Sequence, residues 1–427
     1  MNRRQLLRIA GAAGMVGGVG IRRARADDEV IYSNARILTG MMPTSDGESA
    51  GLLEVQGGIH VSGGMIVDMG SSVTGGIDLG GAVVWPGTWE SGTTAGIAEI
   101  DLEAATHDDS ETGDPLEPQM RVTDGYNPQS VLIPVLRARG VMGGLVMPGG
   151  GIVSGQAAWM RTTGVTVEKA TVLDPAGLVI NLGRTGVSDK GPSSRMGVAA
   201  RLRDVLDANP PPPEPPRRSI WHKPPPVDPN KKPPTKAETV WHDLQNGYLK
   251  AIFTAERASD IEVALGIIRD YYLDAVILGC SEAWMLADAI AESGVPLIVG
   301  PVTVQPDSYD HLHVRYDNAA LLHKAGVLFG LRIGDPHRAF DLTTEAGIAV
   351  ANGLPWDVAI AAISGNSPSL FGLDLGRIQV GAEATFVVSD GDPLEPRSSV
   401  KRVVVQGVDV PLTNHQTELY DRFKVLK

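Results

Sequence analysis

The side chains best suited to chemistry in this sequence are histidines near an aspartate in the last third of the chain. His311 and His313 are separated by one residue, and His337 follows Asp335 by two. Imidazole and carboxylate groups are common ligands of Zn²⁺, and they also transfer protons near neutral pH. If the four side chains converge they could hold a divalent metal; the alternative is a set of histidines in exposed polar loops.

Other candidates stand earlier in the sequence. Glu90 could pair with Asp335 for acid–base chemistry without a metal, the alternative being a loop or helix-cap carboxylate. His107 precedes two aspartates in an acidic stretch, where a solvated loop is the alternative to a ligand cluster. Cys280 has no basic neighbour in sequence to lower the pKa of its thiol, which favours a buried, unreactive cysteine.

The composition excludes several classes of protein. The chain has 427 residues, of which 43% are hydrophobic, so it can bury a large core. Its single cysteine excludes an intramolecular disulfide framework and cysteine-rich zinc or iron–sulfur sites. The formal net charge of −13 argues against nucleic acid as a partner, since an acidic surface repels phosphates.

The N-terminal residues 1–26 have the pattern of an export signal. Arg3 and Arg4 precede a mildly apolar, Gly- and Ala-rich stretch at 9–21, and small residues at 24–26 form a cleavage point. The paired arginines resemble a twin-arginine signal, which predicts a periplasmic or secreted protein. The alternative is an uncleaved anchor, but a bilayer span needs ~20 apolar residues. No later run is apolar enough to span a membrane.

The remaining sequence predicts an α/β protein with two parts. Residues 28–84 and 376–412 consist of short alternating apolar runs separated by glycines, which predicts one composite β-sandwich formed by both chain ends. Between them, residues 85–375 alternate buried apolar runs with helical patterns, the pattern of parallel β/α units. About eight strand positions over this length predict a (β/α)₈, TIM-like barrel.

Seven runs are predicted barrel strands, and a proline-rich segment interrupts them. The strands are expected at Ala82–Trp85, Val141–Met147, Gly177–Asn181, Lys250–Thr254, Asp274–Leu278, Val295–Val299 and Gly326–Ile333. Residues 209–236 contain too many prolines for a helix or a central strand. We expect an exposed insertion within the barrel, with a ligand for an SH3-type domain as the alternative.

Four stretches carry a resemblance to a known family. They are Gly80–Gly92, with a Pro-Gly that ends a strand, Asn127–Ala158, Thr343–Pro368, and the Gly-rich closing segment Leu375–Pro396. Together they resemble the amidohydrolase superfamily, in particular its imidazolonepropionase-like bacterial branch. The resemblance covers most of residues 28–410 and implies a barrel with a metal site and a composite β-sandwich.

The resemblance also implies where metal ligands belong, and this chain departs from the pattern. The family uses a divalent metal, typically zinc, to lower the pKa of a bound water. Its four histidines correspond here to residues that are poor zinc ligands: Gly92, Thr94, Thr254 and Gly279 (or the adjacent Cys280). Only the aspartate after the eighth strand is retained, as Asp335.

Two functions therefore remain open from the sequence. The family resemblance implies a hydrolase acting on carbon–nitrogen bonds other than peptide bonds, with Asp335 as the proton-handling residue. The loss of the usual ligands favours a catalytically inactive protein whose barrel binds a small molecule or a protein partner. Convergence of His311, His313, His337 and Asp335, or a facing pair of Glu90 and Asp335, would support catalysis.

Overall fold

The computed structural model describes residues 29–40, 54–111, 113–210, 233–306 and 308–425. The predicted signal peptide, residues 1–26, lies outside these residues, and so does most of the proline-rich segment. The described chain forms two eight-stranded sheets with helices packed around the second. No helix among the described residues is long and apolar enough to cross a membrane.

The first sheet is built from both ends of the chain. Its strands are β1 (Val30–Leu38), β2 (Glu54–Ser62), β3 (Met65–Gly70), β4 (Ile77–Asp78), β5 (Val83–Trp85), β14 (Phe386–Ser389), β15 (Val400–Val405) and β16 (Val408–Val410). The strand order is β16-β15-β14-β5-β1-β2-β3, and β4 pairs with β1. The antiparallel pair of β5 and β14 joins the two chain ends in one sheet, as expected for a composite domain.

The second sheet is the predicted barrel. It consists of β6 (Thr88–Thr93), β7 (Val141–Val146), β8 (Val153–Arg161), β9 (Thr171–Asn181), β10 (Ala251–Ala255), β11 (Ala275–Gly279), β12 (Leu297–Val299) and β13 (Phe329–Leu331), paired in sequence order. Strands such as β7 and β11 are buried on both faces, because helices cover one side and the barrel core the other. The TIM-like fold prediction is confirmed.

Two details of the strand prediction were wrong. Val83–Trp85 belongs to the first sheet, and the first barrel strand is instead Thr88–Thr93, whose polar sequence gives no apolar signal although all six residues are buried. The strand Val153–Arg161 was missed, and it runs antiparallel to both neighbours. The barrel therefore departs from a strict (β/α)₈ pattern at its third strand.

The helices surround the barrel. They are α1 (Leu132–Ala138), α2 (Val167–Ala170), α3 (Arg195–Ala208), α4 (Lys236–Gln245), α5 (Ala258–Asp270), α6 (Ala287–Ser293), α7 (Asn318–Lys324), α8 (Leu342–Ala351), α9 (Trp356–Ile363), α10 (Asn366–Ser369) and the exposed α11 (His415–Phe423). Helix α4 begins at Lys236, the last residue of the predicted proline-rich segment. Thr235 and Glu238 form a capping box that fixes this start.

The two sheets share an apolar junction. Trp89, Trp159 and Phe371 pack edge to face between them, with ring centroids 6.0 and 5.5 Å apart. Beside these rings Arg161 donates two hydrogen bonds, of 2.9 and 2.8 Å, to the carboxylate of Glu383. This bidentate pair ties a barrel strand to the segment that precedes β14, so the barrel is held against the first sheet at one end.

Candidate functional site

The carboxyl ends of the parallel strands meet at one end of the barrel, here called the mouth. Catalytic and binding groups of this fold lie at that end. Three charged side chains from different strands gather there: Glu90 from β6, Glu256 just after β10, and Arg332 just after β13. These three groups form the charged centre of the mouth.

Glu90 joins the first barrel strand to the segment that follows the last. Its carboxyl group accepts hydrogen bonds from the backbone N–H groups of Ile333, at 3.0 Å, and Gly334, at 2.9 Å. The side chain is 1% exposed. Burial raises the pKa of Glu90 to about 7, against the opposing effects of Arg332 and the two N–H donors. Glu90 is therefore a closing contact of the barrel.

Arg332 lies between two glycines at the mouth. Its Nη2 donates a hydrogen bond of 2.7 Å to the carbonyl oxygen of Gly92, while Nε is buried without a partner. A Cβ atom at Gly92 would lie 2.8 Å from Leu278 Cδ1 and 3.3 Å from Nε, and one at Gly334 would overlap the guanidinium. Burial lowers the pKa of Arg332, whereas the charges of Glu90 and Glu256 raise it. The guanidinium thus packs closely against Gly334 and beside the end of the first barrel strand.

Glu256 fills the corresponding space beside the sixth strand of the barrel. Its Oε2 accepts a hydrogen bond of 3.2 Å from the N–H of Ser281 and another from the Ser281 hydroxyl. A Cβ atom at Gly279 would lie 2.7 Å from the Glu256 carboxyl carbon, and the glycine has a φ of +100°. A larger side chain at position 279 is therefore excluded both by the backbone conformation and by Glu256.

The donor set at the family's ligand positions does not fit a divalent metal. Gly92 and Gly279 offer no side chain, and Thr254 donates its hydroxyl to Asn181 Oδ1 at 2.8 Å. The carbonyl oxygen of Thr94 accepts hydrogen bonds from a following turn. Among the described residues, no group of three or more His, Cys, Asp or Glu side chains is arranged to hold a metal ion.

The structure does not bring the proposed replacement ligands together. His311 Nε2 lies 3.9 Å from Glu256 Oε2, and His313 Nδ1 lies 2.8 Å from Glu282 Oε1. His337 Nε2 is 3.2 Å from Asp101 Oδ1. Each histidine thus contacts a different carboxylate.

Asp335, the retained family residue, is exposed, and its Oδ1 accepts a hydrogen bond of 2.8 Å from the N–H of His337. Glu90 is buried and bound to the backbone N–H groups of Ile333 and Gly334, so the two carboxyl groups lie in different environments. Cys280 is buried, and burial raises the pKa of its thiol, as expected of an unreactive cysteine. His107 contacts Asp109 at 3.2 Å and the carbonyl oxygen of Ile100 at 3.0 Å, within a loop.

Sequence reasoning missed Arg332 and Glu256. Each stands close to a position assigned from the family pattern: Glu256 is two residues after Thr254, and Arg332 is three before Asp335. A signal was therefore present, namely a charged residue within three positions of a family ligand position, at the end of an otherwise apolar strand segment.

The buried carboxyl group of Glu90 predicts a pH-dependent stability. Its pKa is about 7 in the folded chain, against an ordinary value of 4.5. Between these two pH values the folded state therefore keeps a proton that the unfolded state has lost. The free energy of unfolding is therefore expected to fall as pH rises from about 4.5 to 7, by on the order of 3 kcal/mol from this group. Urea titrations of the wild type and Glu90→Gln at several pH values measure it. A difference between the two proteins that stays constant with pH contradicts the expectation.

Comparisons with known proteins identify relatives of this fold. No protein-family model matches the chain, and no curated protein matches it. Among solved structures, an amidohydrolase from Thermotoga maritima MSB8 is 25% identical, with a TM-score of 0.77, over 90% of this chain and 99% of that one. A prolidase complexed with N-methylphosphonate-L-proline is 15% identical, with a TM-score of 0.52 over 90% of this chain and 99% of the prolidase. A β-aspartyl dipeptidase from Fervidobacterium islandicum AW-1 is 14% identical, with a TM-score of 0.50 over 90% and 96%.

Proposed function

Because this chain has the fold of the amidohydrolase superfamily, we propose that it binds a small molecule at the barrel mouth without the superfamily's metal. One observation carries the proposal. Glu256 lies in the space that a side chain at position 279 would need, and Arg332 packs beside Leu278 against position 92. The mouth therefore has fixed charges in place of metal ligands, and it functions as a binding site.

The chemistry of hydrolysis supports a binding role over a catalytic one. Water is a poor nucleophile at neutral pH, and the superfamily activates it with a metal that also polarises the carbonyl group. The described side chains of the mouth include no metal-binding group of three. Without such a group, attack on a stable carbon–nitrogen bond lacks its main source of activation.

A second candidate is a hydrolase that works without a metal, and one contact favours it. Glu256 lies 3.9 Å from His311, and the two side chains are 25% and 21% exposed. A partly exposed carboxylate beside an imidazole can act as a general base, and a base of this kind contributes about 10²–10⁴-fold to a rate. In this alternative Glu256 takes the proton from the attacking water.

A hydrolysis assay separates the two candidates. The protein is incubated with amides and cyclic ureides, with added Zn²⁺ or Mn²⁺ and with EDTA. We expect no turnover under any condition, together with a rise in Tm for those compounds that bind. Turnover that EDTA abolishes would overturn the proposal in favour of a metal enzyme. Turnover that survives EDTA but disappears in Glu256→Gln, and not in the exposed control Glu262→Gln, would establish the second candidate.

Export is the second part of the proposal. It is supported by the paired arginines, the weakly apolar stretch and the small residues at 24–26 of the sequence. A small-molecule-binding protein outside the cytoplasm meets its ligand directly. Fractionation of cells that produce the full chain should place it in the periplasm or the medium, and replacement of Arg3 and Arg4 by lysine should keep it in the cytoplasm. Export that continues in this variant contradicts the twin-arginine assignment.

A further inference from the structure

Arg332 is the most unusual charge of the mouth, because its guanidinium group is largely unpaired. A guanidinium carries five N–H donors. Here Nη2 donates to the carbonyl oxygen of Gly92, Nε is buried without a partner, and Nη1 makes no hydrogen bond with the described residues. Arg332 also forms no ion pair with a carboxylate of the described chain. A desolvated cation in this condition is costly unless an anion completes its hydrogen bonds.

The two nearby carboxyl groups do not complete them, because neither forms a hydrogen bond or an ion pair with Arg332 among the described residues. Glu90 accepts from the backbone N–H groups of Ile333 and Gly334. Glu256 accepts from the backbone and the hydroxyl of Ser281. Both act on Arg332 only through their charge at longer range. They hold the guanidinium in its charged form and leave its donors unused.

Nη1 of Arg332 is the unpaired donor that a ligand could reach, since Nε is buried. The residue follows β13 directly and is partly exposed at the mouth, where the glycine at position 92 lets the guanidinium lie against the backbone. From these contacts we infer that Arg332 is the recognition group for a small organic monocarboxylate bound at the barrel mouth. The inference rests on the proposed binding function and adds the chemical class of its ligand.

The charge balance selects a monocarboxylate. The guanidinium fork matches the two oxygens of a carboxylate in a bidentate pair. Glu256 and the formal net charge of −13 oppose ligands with two or more negative charges. Glu256 would also attract a positive group on the same ligand, so an α-amino acid and a simple carboxylic acid are two sources of the same chemistry.

Calorimetric titration with matched ligands tests the inference. The wild type is titrated with acetate, glycine and proline, with their neutral amides, and with inorganic phosphate. We expect saturable binding of at least one carboxylate and at least about tenfold weaker binding of its amide. Tighter binding of the amino acids than of acetate identifies the zwitterion as the source, whereas tighter binding of acetate identifies the simple acid. Preference for phosphate, or no carboxylate bound at about 10 mM, overturns the inference.

Variants of Arg332 show which group does the binding. Arg332→Met is expected to weaken carboxylate binding by about 10- to 100-fold, and Arg332→Lys, which keeps the charge but not the fork, by about tenfold. The control Arg36→Met removes an arginine that is paired with Glu54 in the first sheet and should bind like the wild type. Unchanged binding in Arg332→Lys and Arg332→Met overturns the inference. If the amides bind as tightly as the acids, and the Arg332 variants bind both like the wild type, the proposed binding function stands and only the proposed ligand class is wrong.

Discussion

Replacement of Glu90 by leucine is expected to lower the free energy of unfolding by about 3–5 kcal/mol at about pH 5.5. The substitution leaves the N–H groups of Ile333 and Gly334 without their acceptor in a site where Glu90 is 1% exposed. An unsatisfied buried donor costs about 1–3 kcal/mol, and the branched side chain must also fit a space shaped for a planar carboxyl group. Urea denaturation followed by circular dichroism gives the value.

The matched control for this prediction is Glu90→Gln. Glutamine keeps a carbonyl oxygen that can accept from both N–H groups, so this variant should lie within about 1 kcal/mol of the wild type at the same pH. At about pH 8 the buried carboxyl group of the wild type is ionised, which lowers the wild type's free energy of unfolding. The difference in this free energy between the wild type and the leucine variant should therefore be smaller at about pH 8 than at about pH 5.5. A leucine variant as stable as the glutamine variant at about pH 5.5 would show that Glu90 does not close the barrel.

The second large effect is expected at Gly279. Alanine at this position has to adopt a φ of +100°, and its Cβ would overlap the carboxyl group of Glu256. The backbone strain and the overlap together should cost about 3 kcal/mol. Gly294→Ala is the control, since Gly294 has a φ of +68° at the end of α6 but an open space around it; its cost should be only about 1 kcal/mol.

A double variant tests whether Glu256 is the obstacle. Combining Gly279→Ala with Glu256→Ala removes the overlapping carboxyl group and leaves only the backbone strain. The double variant should therefore be more stable than the sum of the two single effects predicts, by at least about 1 kcal/mol. Additive effects would mean that Glu256 does not occupy the space beside position 279, and the proposed function would lose its main support.

The sequence was sufficient for the architecture because apolar patterns report burial. The strands β7, β10 and β11 are short apolar runs covered on both faces, so each was predicted close to its observed bounds. The pattern failed for Thr88–Thr93, where a buried polar strand carries Glu90. It also failed for Val153–Arg161, whose glycine and small residues lack a clear period.

The site was less predictable, because its groups come together only through the closure of the barrel. Alignment to the family pattern identified Gly92 and Gly279 as positions without ligands, but a glycine says nothing about what occupies its space. Glu256 lies against Gly279, and Leu278 and Arg332 lie against Gly92; these side chains come from other strands, and only the three-dimensional structure brings them together. The spacing of His311 and His313 does not show where their side chains lie either: His311 lies 3.9 Å from Glu256 and His313 lies 2.8 Å from Glu282.

The metal content of the full chain shows most directly whether the barrel mouth lacks a metal site. The protein is purified without chelator, incubated with Zn²⁺, Mn²⁺ or Fe²⁺, freed of unbound ions and examined by elemental mass spectrometry. We expect less than about 0.1 equivalent of any divalent metal, in a protein that is folded and unfolds cooperatively. About one equivalent, lost in Asp335→Ala or Glu256→Ala, would show that the mouth holds a metal after all and would contradict the account.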